Sequence, residues 1–421
     1  MKNLIPILLF LIPLILIGQN KTELEIIEYH QKIYNGLLDD KPTPNYLFPI
    51  VRADSLLKKC SGTQFESLAN QSLSWYFSYV GEYKKALELD SKDAETREIS
   101  AIELIDLTKY KPDNAKKKIV ASAKNFDYIL INEAHHKPQH RVFANSLLDD
   151  LMKQGYKTLA IEGIGLDDKI VNTTKIPTEN IGGLTMEPNY ANLIRDALAL
   201  GYEILPYDYD DVFDFEKRDS IGALRIIEHR KKNPEKVIVF CGYDHVDKTQ
   251  KSLAYWLELN TNKKVLSVNQ TRYSEEFEKK YESPYYQMAT DLHNQKTPFV
   301  LNRKKQYFKE NDGSDFFVFH PRVNYKNSVA SWLIDYDNKK TLVKLPKEIF
   351  NKIDEFSLVQ VFLKNEFEIG IPIYQFLYTQ ETEIKVVIPN GDFVLKVENK
   401  ERRELIRIDF KYDLENGLEF D

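Results

Sequence analysis

Cysteine is nearly absent from this sequence. Its 421 residues include only Cys60 and Cys241, which lie far apart in the chain, so a disulfide framework and a cysteine-rich zinc site are both excluded. The sequence also lacks a helical zinc motif of the HExxH type. Any metal site would therefore be assembled from residues that belong to separate segments.

An excess of positive charge is missing as well. Lysine and arginine number 58 against 64 aspartates and glutamates, which gives a formal net charge of -6. A protein that binds nucleic acid needs a basic face to neutralise the phosphates. We therefore expect no nucleic-acid partner.

Long hydrophobic runs are missing except at the N-terminus, where residues 3–18 read NLIPILLFLIPLILIG after Lys2. The apolar run of about 15 residues is short for a helix that spans a membrane, which needs about 20, and Pro6 and Pro13 weaken it further. We predict a cleavable signal peptide over residues 1–19 and an exported protein, periplasmic or secreted. The alternative is an uncleaved anchor, which would be the chain's only contact with a membrane.

Three regions follow the signal segment. Residues 20–125 have apolar residues at helical spacing and predict a helical N-terminal region. Residues 126–325 alternate between strand-like and helix-like stretches, which predicts an α/β domain with a mainly parallel sheet and helices on both faces. Residues 330–421 contain short alternating runs, from Ala330–Ile334 to Leu405–Phe410, and predict a small antiparallel β-sandwich. This last region contains neither histidine nor cysteine, so we expect it to be accessory.

Carboxylates and histidines follow the predicted strands of the central region at the points where the strands end. In a parallel sheet the carboxyl ends of the strands lie along one edge, and open α/β sheets bind ligands beyond that edge. Residues that are more than 100 positions apart in the sequence can therefore converge there. The residues expected to converge are Glu133, His136, Glu162, Asp208 and His245.

Carboxylates and imidazoles together support two kinds of chemistry. They can ligate a divalent metal such as Zn²⁺ or Mn²⁺, and the candidate ligands are Glu133, His135, Glu162 and His245. Without a metal, a histidine, His136 or His245, can act as general base towards water while the two glutamates orient it.

Arg218 is a further candidate, because a guanidinium can clamp an anion and steady a developing oxyanion. A structural alternative exists for each of these residues. Arg218 and Asp219 can form an ion pair at the start of a helix, Glu133 can cap the following helix, and His245 can be a hydrogen-bonding residue of the fold.

The stretch ILINEAHHKPQHRVFANSLLDDLMKQGYKTLAIEGI resembles the start of the superfamily that contains the erythromycin esterases, the ChaN-like proteins and the TraB/Tiki proteins. The superfamily motifs correspond here to Asn132-Glu133-Ala134-His135-His136, Ile161-Glu162, Arg218-Asp219 and Gly242-Tyr243-Asp244-His245. The match spans about residues 126–270, roughly a third of the chain. Asn132 replaces the leading glycine of the first motif, and asparagine tolerates left-handed backbone angles better than most residues.

The doubled histidine leaves the branch of the superfamily open. The Glu-x-x-His spacing through His136 resembles the esterase branch, which opens macrolide lactones by water attack. The Glu-x-His spacing through His135 resembles the ChaN-like and Tiki branches, which are linked to haem binding and to metal-dependent peptidase activity.

The resemblance favours a secreted hydrolase that directs water onto an ester or a peptide, and a small molecule or a peptide is therefore the expected substrate class. Its expected catalytic residues are Glu133, His136, Glu162, His245 and Arg218. The alternative that the resemblance implies is a haem- or iron-binding protein without catalysis, in which an imidazole is the axial ligand.

Overall fold

The computed structural model describes residues 21–38, 43–91, 100–165, 168–208, 214–310, 313–326, 329–337, 339–351, 353, 356–378 and 384–420. The predicted signal peptide lies outside these ranges. Over the described ranges, no helix combines the length and the apolar character needed to cross a membrane.

The helices, in chain order, are α1 (Lys21–Leu37), α2 (Leu47–Ile50), α3 (Ala53–Cys60), α4 (Glu66–Tyr79), α5 (Tyr83–Asp90), α6 (Ala101–Leu107), α7 (Ala115–Ala123), α8 (Gln139–Met152), α9 (Asp168–Thr174), α10 (Pro188–Leu200), α11 (Phe215–Lys232), α12 (Leu253–Thr261), α13 (Pro284–His293) and α14 (Trp332–Asp335). Polar side chains cap the N-termini of several of these helices. Asn114 accepts the backbone N–H of Lys117 at α7, and Ser252 accepts that of Tyr255 at α12. Such caps satisfy donors that the first helical turn leaves without partners.

The strands are β1 (Lys111–Asn114), β2 (Tyr128–Glu133), β3 (Tyr156–Ile161), β4 (Glu203–Pro206), β5 (Lys236–Gly242), β6 (Leu266–Tyr273), β7 (Phe299–Arg303), β8 (Gln306–Tyr307), β9 (Phe316–Phe319), β10 (Tyr325–Lys326), β11 (Val329–Ala330), β12 (Thr341–Leu345), β13 (Ser357–Leu363), β14 (Tyr374–Tyr378), β15 (Ile384–Ile388), β16 (Gly391–Asn399), β17 (Glu404–Asp413) and β18 (Gly417–Phe420).

The chain divides into two compact units. The first comprises the described residues of Ala94–Lys175 and Leu193–Val323, and the second those of Met1–Asp93, Ile176–Asn192 and Asn324–Asp421. Helices α6 and α7 and strand β1 therefore belong to the first unit, although the sequence pattern groups them with the N-terminal helices.

A large, mostly parallel sheet forms the centre of the first unit, as the sequence predicts. Over the described residues it has nine strands in the order β1-β7-β9-β6-β2-β5-β3-β4, and β8 also pairs with β7. The strands from β9 to β4 in that order run parallel, whereas β7 is antiparallel to β1 and β9. The sequence pattern predicts neither β1 nor β7.

The central strands are apolar because both of their faces are covered. All six residues of β2 are buried. On one face of the sheet, Leu130 of β2 and Val239 of β5 belong to a core cluster with Ile226 of α11 and Leu257 of α12.

The strand register decides which residues meet at the edge of the sheet. Glu133 lies beside Gly242 across the β2–β5 pairing, and Ile161 lies beside Phe240 of β5 and Pro206 of β4. Residues at the ends of β2, β3, β4 and β5 are thus neighbours, although they come from four distant segments.

The second unit contains helices α1 to α5 and antiparallel sheets from the C-terminal part of the chain. A five-stranded sheet has the order β14-β13-β16-β17-β18, and two-stranded sheets are formed by β12 with β15 and by β10 with β11. All pairings in these sheets are antiparallel. The C-terminal region is therefore antiparallel, as predicted.

One predicted strand of this region is wrong. The run Ala330–Ile334 has only its first residue in a strand, β11, and Trp332–Asp335 forms the short helix α14. An apolar run this short does not distinguish a strand from a turn of helix. The pattern also misses strands β14 and β18.

Candidate active site

A buried carboxylate at the end of β2 is held by an arginine from α8. Arg141 donates from Nε to Glu133 Oε2 at 2.5 Å and from Nη2 to Glu133 Oε1 at 3.0 Å. The Glu133 side chain is only 1% exposed and that of Arg141 is fully buried. A two-point ion pair of this kind fixes the carboxylate as well as neutralising it.

The same carboxylate orients His135. The His135 Nδ1 atom lies 2.8 Å from Glu133 Oε1, and Arg141 donates to the His135 carbonyl oxygen at 2.8 Å. Burial alone raises the pKa of a carboxyl, but Arg141 and His135 outweigh it and hold the pKa of Glu133 below its ordinary value. Glu133 is therefore an acceptor, so Nδ1 of His135 donates to it.

His136 occupies a different environment from its neighbour. Its ring is buried, and Nδ1 lies 3.4 Å from the hydroxyl of Tyr243. Burial, with Lys137 next to it, holds the pKa of His136 well below its usual range, so this imidazole is neutral near pH 7. The histidine that contacts Glu133 is His135, two residues along the chain, so this contact follows the Glu-x-His spacing.

A second carboxylate, Glu162, follows β3 and also meets an arginine. Arg218 of α11 donates to Glu162 Oε1 at 2.9 Å and binds Asp208 through two contacts of 2.6 Å. The Arg218 side chain is 16% exposed. Arg218 therefore stays within reach of solvent while it bridges the ends of β3 and β4.

His245 lies between two carboxylates. Its Nδ1 is 2.8 Å from Asp219 Oδ1, and its Nε2 is 3.6 Å from Glu162 Oε1. Burial lowers the pKa of an imidazole, but Glu162 and Asp219 outweigh burial and raise the pKa of His245 well above its ordinary value. Burial likewise raises the pKa of a carboxyl, yet His245 and Arg218 hold that of Glu162 well below its usual range. The ring of His245 is therefore an imidazolium near pH 7.

Gly242 joins the two halves of the site. Its N–H donates to Glu162 Oε2. A Cβ atom at this position would lie 3.1 Å from Glu162 Oε2 and 3.1 Å from Cε1 and Nε2 of His135. Glu162 and His135 thus border one small space, and glycine keeps that space open.

The glycine replacement at Asn132 has a different outcome from the one expected. Asn132 lies within β2, and its backbone is not left-handed. Its Nδ2 donates to Tyr243 O at 2.5 Å and to Thr271 Oγ1 at 3.1 Å, and its Oδ1 accepts the N–H of Gln270 at 2.7 Å. The side chain therefore crosslinks β2 to β6 and to the segment after β5.

The structure thus brings together Glu133, His135, Glu162, Asp208, Arg218, Gly242 and His245, and places His136 beside Tyr243. The sequence interpretation missed Arg141. The signal was available, because Arg141 directly precedes the apolar pair Val142-Phe143, and a charge that is buried with such residues requires a partner.

The donor set offers little to a metal ion as it is arranged. Each glutamate is already engaged by an arginine, and in the described ranges no group of three or more histidines, cysteines or acidic residues has an arrangement that could hold a metal. Divalent metal and haem binding stay predictions, and elemental analysis and a haem titration of the purified protein test them.

No protein-family model and no curated protein matches this chain. Among solved structures, one described as "The structure of the type III effector HopBA1" is similar at 12% identity and a TM-score of 0.30, over 39% of this chain and 86% of that one. Another, described as "Bacterial protein toxins", is similar at 15% identity and a TM-score of 0.25, over 39% of each chain. Likenesses this weak carry no argument, so the superfamily resemblance stays a prediction from the motifs.

The Arg141–Glu133 pair should be essential for stability. Arg141→Met leaves a buried carboxylate without its cation and should lower the free energy of unfolding by about 3–5 kcal/mol at pH 7. Because Arg141 lowers the pKa of Glu133, its contribution is present above about pH 4.3 and is lost as the pH falls through the folded-state pKa. Urea denaturation at pH 7 and in acid measures both effects. Lys153→Met, which removes an exposed pair with Asp149, is the control, and an equally small loss in both variants would contradict the prediction.

Gly242→Ala should disturb the site more than the fold. The backbone angles of Gly242, φ -76° and ψ 169°, are accessible to alanine, but the added Cβ crowds Glu162 and His135. We expect a stability loss of about 1–3 kcal/mol and a changed NMR signal of the His135 ring. Urea denaturation and the imidazole spectrum are the measurements, and an unchanged His135 spectrum would show that this space is less restricted than the distances indicate.

His245 should make stability depend on pH in a defined direction. Because its folded-state pKa is raised, its contribution is complete below about pH 6.5, the ordinary histidine value, and declines as the pH rises through the folded-state pKa. The difference in unfolding free energy between the wild type and His245→Gln should therefore shrink at alkaline pH. His293→Gln is a control of opposite sign, since burial lowers the pKa of His293. A wild-type advantage over His245→Gln that grows with pH would refute the assignment.

Proposed function

We propose that the protein is an exported hydrolase that directs water onto the carbonyl carbon of an ester, a lactone or a peptide. The observation that carries the proposal is the pairing across Gly242. On one side a carboxylate-oriented imidazole, Glu133–His135, borders this space. On the other side two cations, Arg218 and His245, surround Glu162.

His135 is the general base in this proposal. Glu133 accepts a hydrogen bond from Nδ1–H of His135, which leaves the lone pair on Nε2, and Nε2 and Cε1 are the ring atoms that face Gly242. Nε2 takes a proton from water as the water oxygen attacks the carbonyl carbon. An oriented histidine of this kind typically contributes about 10²–10⁴-fold to a rate.

Arg218 and His245 stabilise the negative charge that develops on the carbonyl oxygen of the substrate. As water adds, the carbonyl oxygen becomes an oxyanion, and cations that are already fixed in place stabilise it without having to reorganise. Both side chains are 16% exposed, so a substrate can approach them. His245 carries a proton near pH 7 and is therefore suited to donate it to the leaving alcohol or amine, rather than to act as the base.

One water molecule is divided between the two products. Its hydroxyl group goes to the acyl carbon and its hydrogen to the leaving group, so the products are a carboxylic acid and an alcohol or amine. The proton that His135 takes from water returns to the solvent or replaces the one that His245 gives.

We propose that helices cover both faces of the parallel sheet and that the C-terminal antiparallel sheets form a small accessory β-sandwich. Residues 330–421 lack histidine and cysteine, which favours a structural rather than a chemical role for this region.

His135→Asn is the decisive substitution. The Asn Nδ2 atom can replace the Nδ1 donor to Glu133, but asparagine has no basic nitrogen, so hydrolysis should fall by at least about 100-fold while the fold is retained. The assay is turnover of a panel of nitrophenyl esters, lactones and fluorogenic peptides by the mature protein, with circular dichroism as the folding check.

His136→Asn separates the two adjacent histidines, and His293→Gln controls for the loss of any histidine in the same unit. A large loss in His136→Asn with full activity in His135→Asn would return the role of base to His136. Full activity in both His135→Asn and His136→Asn would refute the proposed hydrolytic mechanism.

A further inference from the structure

A buried histidine supports the turn that carries Glu133 and His135. His140 lies in the first turn of α8, its side chain is fully buried, and its Nδ1 accepts the backbone N–H of Ala134 at 3.0 Å. Ala134 is the residue between Glu133 and His135. The bond therefore fixes the backbone at the point where the strand ends and the candidate base begins.

The hydrogen bonds determine the tautomer of His140. Burial, with His320 close by, holds the pKa of His140 well below its usual range, so the ring is neutral. Because Nδ1 accepts from Ala134, the ring proton is on Nε2. This Nε2 has no hydrogen-bond partner within the described residues, although buried polar atoms nearly always have one.

The ring itself is held by further neutral polar groups. It packs against the ring of His320 with the centroids 4.8 Å apart, and His320 Nε2 lies 3.2 Å from Gln270 Oε1. Gln270 Nε2 donates to His140 O at 3.1 Å and to Asn132 O at 2.6 Å. His140 is therefore anchored to β2 and β6 independently of the two ion pairs.

Stability alone does not account for an imidazole at this position. The ring places a polar N–H, at Nε2, in a buried site where no described group accepts it, and an unsatisfied buried donor costs free energy. A group that breaks a local rule without a gain in stability is typical of a functional site. Arg141 already holds the His135 carbonyl oxygen, so His140 supplies the remaining restraint, on the peptide N–H between the two site residues.

We propose that His140 is a positioning residue of the hydrolytic site, which holds Ala134 so that His135 stays against Glu133 with Nε2 towards Gly242. This inference rests on the proposed function. His140 touches neither substrate nor water in the reaction, and it acts through the orientation of His135.

Two substitutions of His140 separate positioning from packing. His140→Leu fills the space but leaves the Ala134 N–H without an acceptor, so kcat should fall about 10-fold to 100-fold, as is usual for a misplaced catalytic group, while KM stays nearly unchanged. The downfield NMR signal of the His135 Nδ1 proton, observed in the full mature chain, should weaken or move. His140→Asn keeps an acceptor and should restore both kcat and the signal.

Leu257→Ala is the control for general destabilisation, because this buried residue of α12 lies in the core cluster of the sheet. It should lower stability without moving the His135 signal. Wild-type kcat and an unmoved signal in His140→Leu would overturn the proposal, as would a His140→Asn variant as impaired as His140→Leu. If the wild type hydrolyses nothing on the panel, the proposed function fails, and the His135 signal alone then decides whether His140 sets the ring.

Discussion

The burial of ionised carboxylates at the ends of parallel strands is the constraint on which this site depends. A carboxylate with 1% exposure, as at Glu133, cannot remain ionised unless a cation and hydrogen-bond donors compensate for its lost hydration. Arg141 meets this requirement for Glu133, and Arg218 does so for Glu162. Each arginine comes from a helix that packs beside the sheet, so the position of the helix and the charge of the site are fixed together.

Charge balance also divides the histidines into two classes. His245 has carboxylates on both sides and is held as an imidazolium, whereas His136 and His140 are buried near Lys137 and stay neutral. All three belong to the same unit; His136 and His140 are buried, and the His245 side chain is 16% exposed. Burial lowers the pKa of each of the three rings. The sign of the nearest charges decides, as expected in a medium where interactions between charges are strong.

The sequence predicts much of this arrangement because strand direction alone implies adjacency. Once β2, β3, β4 and β5 are recognised as parallel, their polar C-terminal residues have to share an edge, and Glu133, Glu162, Asp208 and His245 do so. Sequence spacing does not reveal which of His135 and His136 turns towards Glu133, since that choice depends on the short turn held by Arg141 and His140. It does not reveal β7 either, because β7 pairs antiparallel with both β1 and β9, and the β–α–β alternation of the sequence predicts only parallel neighbours.

Asn132 illustrates why a motif position has to be judged by its contacts. A glycine at this motif position is usually explained by a turn with special backbone angles. On that explanation, the side chain of Asn132 would contribute nothing and would at best be tolerated. In this chain the backbone is that of a strand, and the amide binds Tyr243, Thr271 and Gln270 at once. The rigidity of these strand ends is therefore supplied by side-chain crosslinks between neighbouring strands. Glycine matters instead at Gly242, where a Cβ atom would lie 3.1 Å from Glu162 Oε2 and from His135 Nε2, so that these side chains would have to shift.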